Sequence, residues 1–137
     1  MEWLEIGLEK NRCKELIEKY NLKDNIDLLG FKENPYPILK NSKILCVTSK
    51  YEGYGLAAIE SIVLETPVVA TNVGGLKEII NNKLGKLCST DEEFEKEIQK
   101  LLLDEKYYAT KKEECKYEIN NIKNIENYIE RLLFYYE

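Results

Sequence analysis

Histidine is absent from this 137-residue chain, and no two of its four cysteines form a Cys-x-x-Cys pair. A zinc site with the usual cysteine and histidine spacing is therefore not expected, and neither is catalysis by an imidazole base. No apolar run approaches the roughly 20 residues that a membrane-spanning helix needs. No secretory signal pattern precedes Trp3. These absences predict a cytoplasmic protein that uses no metal cofactor and has reduced cysteines.

Basic residues are in the minority, with 20 Lys and Arg against 25 Asp and Glu and a net charge of −5. This balance argues against sequence-independent nucleic-acid binding, which depends on clustered Lys and Arg. A content of 44% hydrophobic and 33% charged residues is typical of a globular protein. Because a chain of this length has room for one core, residues 1–137 are predicted to form a single domain.

Short apolar runs alternate with segments of helical spacing along the chain. The predicted strands are Trp3–Ile6, Ile26–Leu29, Ile44–Thr48, Val68–Thr71 and Leu84–Cys88. The predicted helices are Lys10–Tyr20, Pro37–Asn41, Gly55–Leu64, one capped by Asp91, and an amphipathic C-terminal helix with apolar residues at Ile122, Ile125, Ile129, Leu132 and Tyr136. Strands that alternate with helices indicate right-handed βαβ units. We therefore predict an α/β fold, a Rossmann-like doubly wound parallel sheet of about five strands flanked by helices, with C-terminal helices.

The segment from Ser49 to Glu78 carries the most chemical information. It begins with a glycine-rich turn, Glu52-Gly53-Tyr54-Gly55, which opens directly into an apolar helix that carries a second acid, Glu60. Backbone amides at such a turn and at a helix N-terminus favour an anion such as phosphate. Carboxylates accept hydrogen bonds from sugar hydroxyls. A site that prefers phosphate and hydroxyls together suggests a nucleotide-sugar ligand.

The order of these motifs resembles the signature of retaining glycosyltransferases of the GT-B fold, in family 4 (glycosyl transferases group 1). That family has an acid before Gly-Phe-Gly, a second acid, then Pro-Val-Val-Ala-Thr and Gly-Gly-x-x-Glu. Here the pattern reads Glu52, Gly53-Tyr54-Gly55, Glu60, Pro67-Val68-Val69-Ala70-Thr71 and Gly74-Gly75-Leu76-Lys77-Glu78. Two acids alone would mean little in so charged a chain, but the whole ordered set is specific. The resemblance implies a C-terminal, donor-binding domain of such an enzyme.

The resemblance also implies the residues of a donor site. Glu52 would be the catalytic residue, in contact with the donor sugar near its reacting carbon, and Glu60 would hold the ribose hydroxyls. The other donor-binding residues would be Gly53, Tyr54, Gly55, Leu56, Ser49, Gly30, Phe31 and Gly75. Three alternatives stay open: an exposed helical position for Glu60, packing in the core for Phe31, and a purely structural turn at Gly74-Gly75.

Parts of the family pattern have no match in this sequence. The N-terminal acceptor domain is expected to be absent, as are the first strand and helix of the donor domain, which carry a diphosphate-clamping Arg and Lys. Gly7-Leu8-Glu9 stands where the family has Gly-x-Gly. Without the missing strand, Trp3–Ile6 and Ile44–Thr48 would pair directly, in the order 2-1-3-4-5, or another chain would fill the slot. The C-terminal helix would either cross to the missing domain or pack on its own sheet.

The implied function is transfer of a hexose, with retention and without a metal, from a nucleoside-diphosphate sugar to a glycan or lipid acceptor. The setting would be synthesis of cell-envelope polysaccharide or lipopolysaccharide, and the isolated chain would be inactive or nearly so. Its partners would be the nucleotide-sugar donor and either the missing N-terminal domain or another chain. Peripheral association of the full enzyme with the inner face of the membrane stays open. The alternative is a non-catalytic nucleotide-sugar-binding or assembly module paired with another chain.

Overall fold

The computed structural model describes residues 2–3, 10–80 and 84–121, and the chain divides into two compact units, Met1–Pro35 and Tyr36–Glu137. In the first unit, strand β1 (Glu2–Trp3) pairs in parallel with β2 (Asp27–Leu28), and helix α1 (Lys10–Lys19) connects them. This is the predicted strand–helix–strand order. The predicted continuation of β1 to Ile6, and the Gly7-Leu8-Glu9 segment, lie outside the described residues.

The described part of the second unit has three parallel strands in the order β3-β4-β5, connected and flanked by helices. Its elements are α2 (Tyr36–Asn41), β3 (Leu45–Val47), α3 (Leu56–Val63), β4 (Val68–Thr71), α4 (Leu76–Ile79), β5 (Gly85–Cys88), α5 (Asp91–Leu103) and α6 (Glu105–Asn121). The predicted α/β, Rossmann-like fold with parallel strands and flanking helices is confirmed. The described strands form two separate hydrogen-bonded ladders, β1-β2 and β3-β4-β5. The described residues show no direct pairing of β1 with β3. The expected single domain remains a prediction.

Strand β4 lies at the centre of the second unit and is covered on both faces. Successive strand residues point to opposite sides of a sheet. Val68 and Ala70 accordingly pack into one apolar cluster with Ala58 of α3, whereas Val69 packs into another with Leu101 of α5. Val68, Val69 and Ala70 of β4 are fully buried, while β3 is only half-buried. The double covering of β4 fixes the positions of the loops at its ends.

Two predictions for the C-terminal part need correction. Thr90, and not Asp91, caps α5: its hydroxyl accepts a hydrogen bond from the Glu93 amide at 3.2 Å, and Asp91 is the first helical residue. The charged segment after Asp104, for which the pattern predicted no element, forms α6. A capping signal was present there, since Asp104 Oδ1 accepts a hydrogen bond from the Tyr107 amide at 2.9 Å. The predicted amphipathic helix from Ile122 onward lies outside the described residues.

Helix α6 is anchored by Cys115, whose thiol is fully buried and donates to the Leu84 carbonyl oxygen at 3.6 Å. Burial raises the pKa of Cys115 to about 11. We therefore expect iodoacetamide at about pH 8 to alkylate Cys115 only after unfolding, because the reactive form of cysteine is the thiolate. Half-exposed Cys13 in α1 provides the internal comparison and should react in the folded protein. Equal rates at both thiols, measured by mass spectrometry, would show that α6 is not packed as described.

Across residues 10–80 and 84–121, none of the helices has both the length and the apolar content needed to cross a membrane.

Candidate functional site

The turn of residues 49–55, called the first glycine turn below, follows β3 and is organised by the carboxylate of Glu52. Oε2 of Glu52 accepts a hydrogen bond from the Ser49 hydroxyl at 3.2 Å, and Oε1 accepts one from the Gly55 amide at 3.2 Å. The half-buried carboxylate thus joins the two ends of its own turn. A structural role for Glu52 therefore accompanies the donor contact that the resemblance implies. Sequence reasoning missed this role.

Gly55 directs the chain from the first glycine turn into helix α3. Its backbone has φ 62 and ψ 33, in the left-handed region that disfavours side chains, and it is the N-cap of the helix. A Cβ atom built there would lie 2.8 Å from Ile79 Cδ1. No side chain caps α3, so the amides of its first residues, Leu56 and Ala57, have no partner of the usual capping kind. A contact of these amides with a donor phosphate stays a prediction.

The second glycine turn, Gly74-Gly75, packs backbone against backbone on the first. The Gly75 amide donates to the Glu52 carbonyl oxygen at 3.0 Å. A Cβ atom at Gly74 would overlap this same oxygen, and one at Gly75 would overlap the carbonyl oxygen of Gly53. The structural interpretation of Gly74-Gly75 therefore has direct geometric support, and a contact of Gly75 with the donor stays a prediction.

Thr71, at the end of β4, ties the first glycine turn to the sheet. Its hydroxyl donates to the Ser49 carbonyl oxygen at 2.6 Å, so the end of β4 holds the start of the first glycine turn. In the sequence, Thr71 was identified only as the last residue of the Pro-Val-Val-Ala-Thr motif, and no role was predicted for it. A hydroxyl residue that ends a buried strand, next to a glycine-rich loop, was the available signal.

Glu60 lies on the second turn of α3 and is half-buried, and its role in holding the ribose stays a prediction. Its Oε1 accepts a hydrogen bond from the Tyr36 hydroxyl at 3.3 Å. The negative charge of Glu60, and then this hydrogen bond, raise the pKa of Tyr36 above its ordinary value. Tyr36 was not among the predicted site residues, since nothing in the sequence connects it with a residue 24 positions away.

The predicted site residues fall into two groups. Those of the second unit come together around the two glycine turns, where Tyr54 is 62% exposed and half-buried Leu56 begins α3. Gly30 and Phe31 belong to the first unit, just after β2. Gly30 has a left-handed φ of 64. The Phe31 ring is 73% exposed, so the alternative of core packing is wrong for Phe31.

An open cleft of about 800 Å³ lies at the carboxyl ends of the three strands of the second unit. It adjoins the first glycine turn at Ser49. The residues at the strand ends that line it are Thr48, Ser49, Lys50, Thr71, Asn72, Val73, Cys88 and Ser89, and those of α5 are Asp91, Phe94, Glu95, Ile98 and Gln99. Open α/β sheets bind ligands at this edge. The part of the chain that the structure describes has no group of three or more Cys, Asp or Glu residues placed to hold a metal ion. The absence of a metal requirement stays a prediction.

The parallel sheet, the glycine turns at its carboxyl edge and the acid on the following helix define a GT-B-type, Rossmann-like α/β protein. The chain belongs to the family Glycosyl transferases group 1, whose profile matches residues 6–133. The predicted membership in glycosyl transferases group 1 is confirmed, whereas family 4 and the C-terminal, donor-binding position stay predictions.

Curated relatives of the chain are named as glycosyltransferases. The chain is 40% identical over 75 residues to an uncharacterised glycosyltransferase of Methanocaldococcus jannaschii, a match that covers 54% of this chain and 18% of that protein. It is 37% identical over 83 residues to the poly(ribitol-phosphate) alpha-N-acetylglucosaminyltransferase of Staphylococcus aureus, with 59% of this chain and 17% of that protein covered. The matched segment thus spans less than a fifth of either relative.

A solved structure resembles the chain over nearly all of its length. It is a mutant of Staphylococcus aureus TarM in complex with fondaparinux, alpha-GlcNAc-glycerol and UDP. The TM-score is 0.81 and the sequence identity 28%, with 96% of this chain and 28% of TarM covered. The family profile and the structural similarity therefore both support the GT-B fold.

Proposed function

We propose that this chain is the donor-binding part, in family 4, of a retaining hexosyltransferase that uses a nucleoside-diphosphate sugar. The acceptor would be a glycan or a lipid in cell-envelope polysaccharide synthesis. The observation that carries the proposal is the packed pair of glycine turns, built around Glu52 and opening into a helix that has no side-chain cap and carries Glu60. Family membership gives this geometry its chemical meaning.

The site offers a distinct group to each part of a donor. The amides of Gly55 and Gly75 already donate to Glu52, so a donor phosphate would meet the amides of Leu56 and Ala57 at the start of α3. Glu60, four residues beyond Leu56, lies about 6 Å further along the helix axis. A carboxylate at that place accepts hydrogen bonds from a vicinal diol such as ribose. Glu52 stays at the turn, where the sugar would lie.

Catalysis would come from positioning the donor and from electrostatic stabilisation of the departing diphosphate. The described residues of the glycine turns and the cleft beside them include one cation, Lys50, where a diphosphate would need several, and α5 adds the carboxylates of Asp91 and Glu95 to the cleft. The complete enzyme would gain further charge neutralisation from its N-terminal domain or from another chain. By itself, the 137-residue chain should have little or no transferase activity.

Titration of the chain with nucleotides tests the proposal. We expect UDP or a related nucleotide to bind with a dissociation constant in the high micromolar to millimolar range, about −4 to −6 kcal/mol. Glu60→Gln should weaken UDP binding about fivefold or more, because a charged acceptor of the ribose hydroxyls is lost. Calorimetry and NMR titration with UDP, GDP and ADP would measure these constants and identify the base.

The matched control is Glu113→Gln, which removes the same charge from an exposed position on α6 and should leave nucleotide binding unchanged. Glu52→Gln should reduce the affinity for a nucleotide-sugar more than that for the nucleotide alone, since Glu52 would contact the sugar. A chain that binds no nucleotide would contradict the donor-site assignment and favour the assembly module. Efficient sugar transfer by the isolated chain would contradict its role as part of an enzyme.

A further inference from the structure

Helix α2 is fixed against helix α3 by a chain of buried hydrogen bonds. The Ser61 hydroxyl on α3 donates to the Thr66 carbonyl oxygen at 3.0 Å, and the Thr66 hydroxyl donates to the Leu39 carbonyl oxygen on α2 at 2.9 Å. Ser61 and Thr66 are 0% and 2% exposed. Buried polar links of this kind are costly to break, because an unpaired group would remain without water. The two helices therefore have a defined relative position.

This packing brings Tyr36, the first residue of α2, to the carboxylate of Glu60 on α3. The Tyr36 hydroxyl donates to Oε1 at 3.3 Å, longer than the usual 2.7–2.8 Å of such bonds. A bond of this length orients the carboxylate at a modest gain in energy. It also engages one of the two oxygens of Glu60. Because Tyr36 is 48% exposed, the pair lies at the surface, where a ligand can reach it.

We infer that Tyr36 is a positioning residue for the donor site. It holds Oε1 of Glu60 so that the carboxylate presents its other oxygen to the ribose hydroxyls of the nucleotide. A glutamate side chain without such a contact samples several rotamers, and ligand binding must then immobilise it. The hydroxyl of Tyr36 reduces this cost before the donor arrives. This inference rests on the proposed role of Glu60.

The test compares UDP with 2′,3′-dideoxy-UDP, which lacks both ribose hydroxyls. Tyr36→Phe should weaken UDP binding about threefold and leave the binding of dideoxy-UDP unchanged, since the tyrosine acts only through the carboxylate that holds the hydroxyls. In the Glu60→Gln background, Tyr36→Phe should have no further effect on UDP. Tyr117→Phe, which removes an exposed hydroxyl from α6, is the matched control and should bind both nucleotides as the unchanged chain does. Thermal unfolding midpoints should be equal for all these chains except the Glu60 variants.

Each other result overturns the inference in a recognisable way. Equal weakening of both nucleotides by Tyr36→Phe, or no weakening at all, would show that the hydroxyl does not act through ribose, while the donor site itself stands. The same weakening with and without Glu60→Gln would separate Tyr36 from Glu60. A chain that binds no nucleotide would overturn the proposed function, and this inference with it.

Discussion

Replacing Ala58 by aspartate should lower the free energy of unfolding by about 3–5 kcal/mol, because the variant must bury an unpaired charge or unfold. Ala58 is 0% exposed on α3 and lies in the apolar cluster with Val68, Ala70 and Leu76. With a total stability of about 5–15 kcal/mol, typical of single domains, such a loss can unfold the protein.

Ala57→Asp provides a matched control one residue away. Ala57 is exposed, and both positions lie in the first turn of α3, where a negative charge interacts favourably with the helix N-terminus. The two variants therefore share their helix propensity and their interaction with the helix dipole, and they differ in burial. Urea unfolding followed by circular dichroism measures both stabilities. Similar stabilities for the two variants would show that α3 is not docked on β4 through Ala58.

Replacing Gly74 by alanine should destabilise the protein by about 2–4 kcal/mol, from left-handed backbone strain and steric overlap together. Gly74 has φ 42, and a Cβ atom there would overlap the Glu52 carbonyl oxygen, a backbone atom that cannot move alone. Relief of the overlap requires the two glycine turns to separate, which breaks the bond from the Gly75 amide to Glu52. The site should therefore lose nucleotide affinity as well as stability.

Substitutions at two other glycines distinguish the contribution of left-handed backbone strain from that of steric overlap. Gly53 has a negative φ and no atom within 4 Å of a built Cβ, so Gly53→Ala should change stability by less than about 0.5 kcal/mol. Gly30 combines a left-handed φ of 64 with open space, so Gly30→Ala should show the strain without the overlap, about 1 kcal/mol. Equal stability of the Gly74 and Gly30 variants would mean that the two turns are not in close contact.

Much of the fold could be predicted from periodicity. The runs at Ile44–Thr48 and Val68–Thr71 contain β3 and β4, and helical spacing located α1 and α3 to within one residue at each end. Helix α6 could not be found this way, since its charged residues conceal the few buried ones, such as Cys115. Helix α4 has only four residues and follows directly after the second glycine turn, so its sequence is too short to show a helical repeat.

The candidate site was predicted as a set of residue types, and its internal connections were not. The spacing of Glu52, the glycines and Glu60 indicated one site at the start of α3, and the structure joins Ser49, Glu52 and Gly55 there by hydrogen bonds. That the Glu52 carboxylate closes its own turn was not visible, because a motif does not show where a side chain points.

The sequence by itself determined the family, the parallel α/β class and the order of the strands along the chain, because these depend on local pattern and on motifs read in order. Only the tertiary structure decided which distant residues meet. It brought Gly75 to the Glu52 carbonyl, Thr71 to Ser49 and Tyr36 to Glu60, across 22 to 24 positions of sequence. The physical reason is that burial on both faces of β4 fixes the helices and the loops at its ends. Packing of that kind has no signature at any single position.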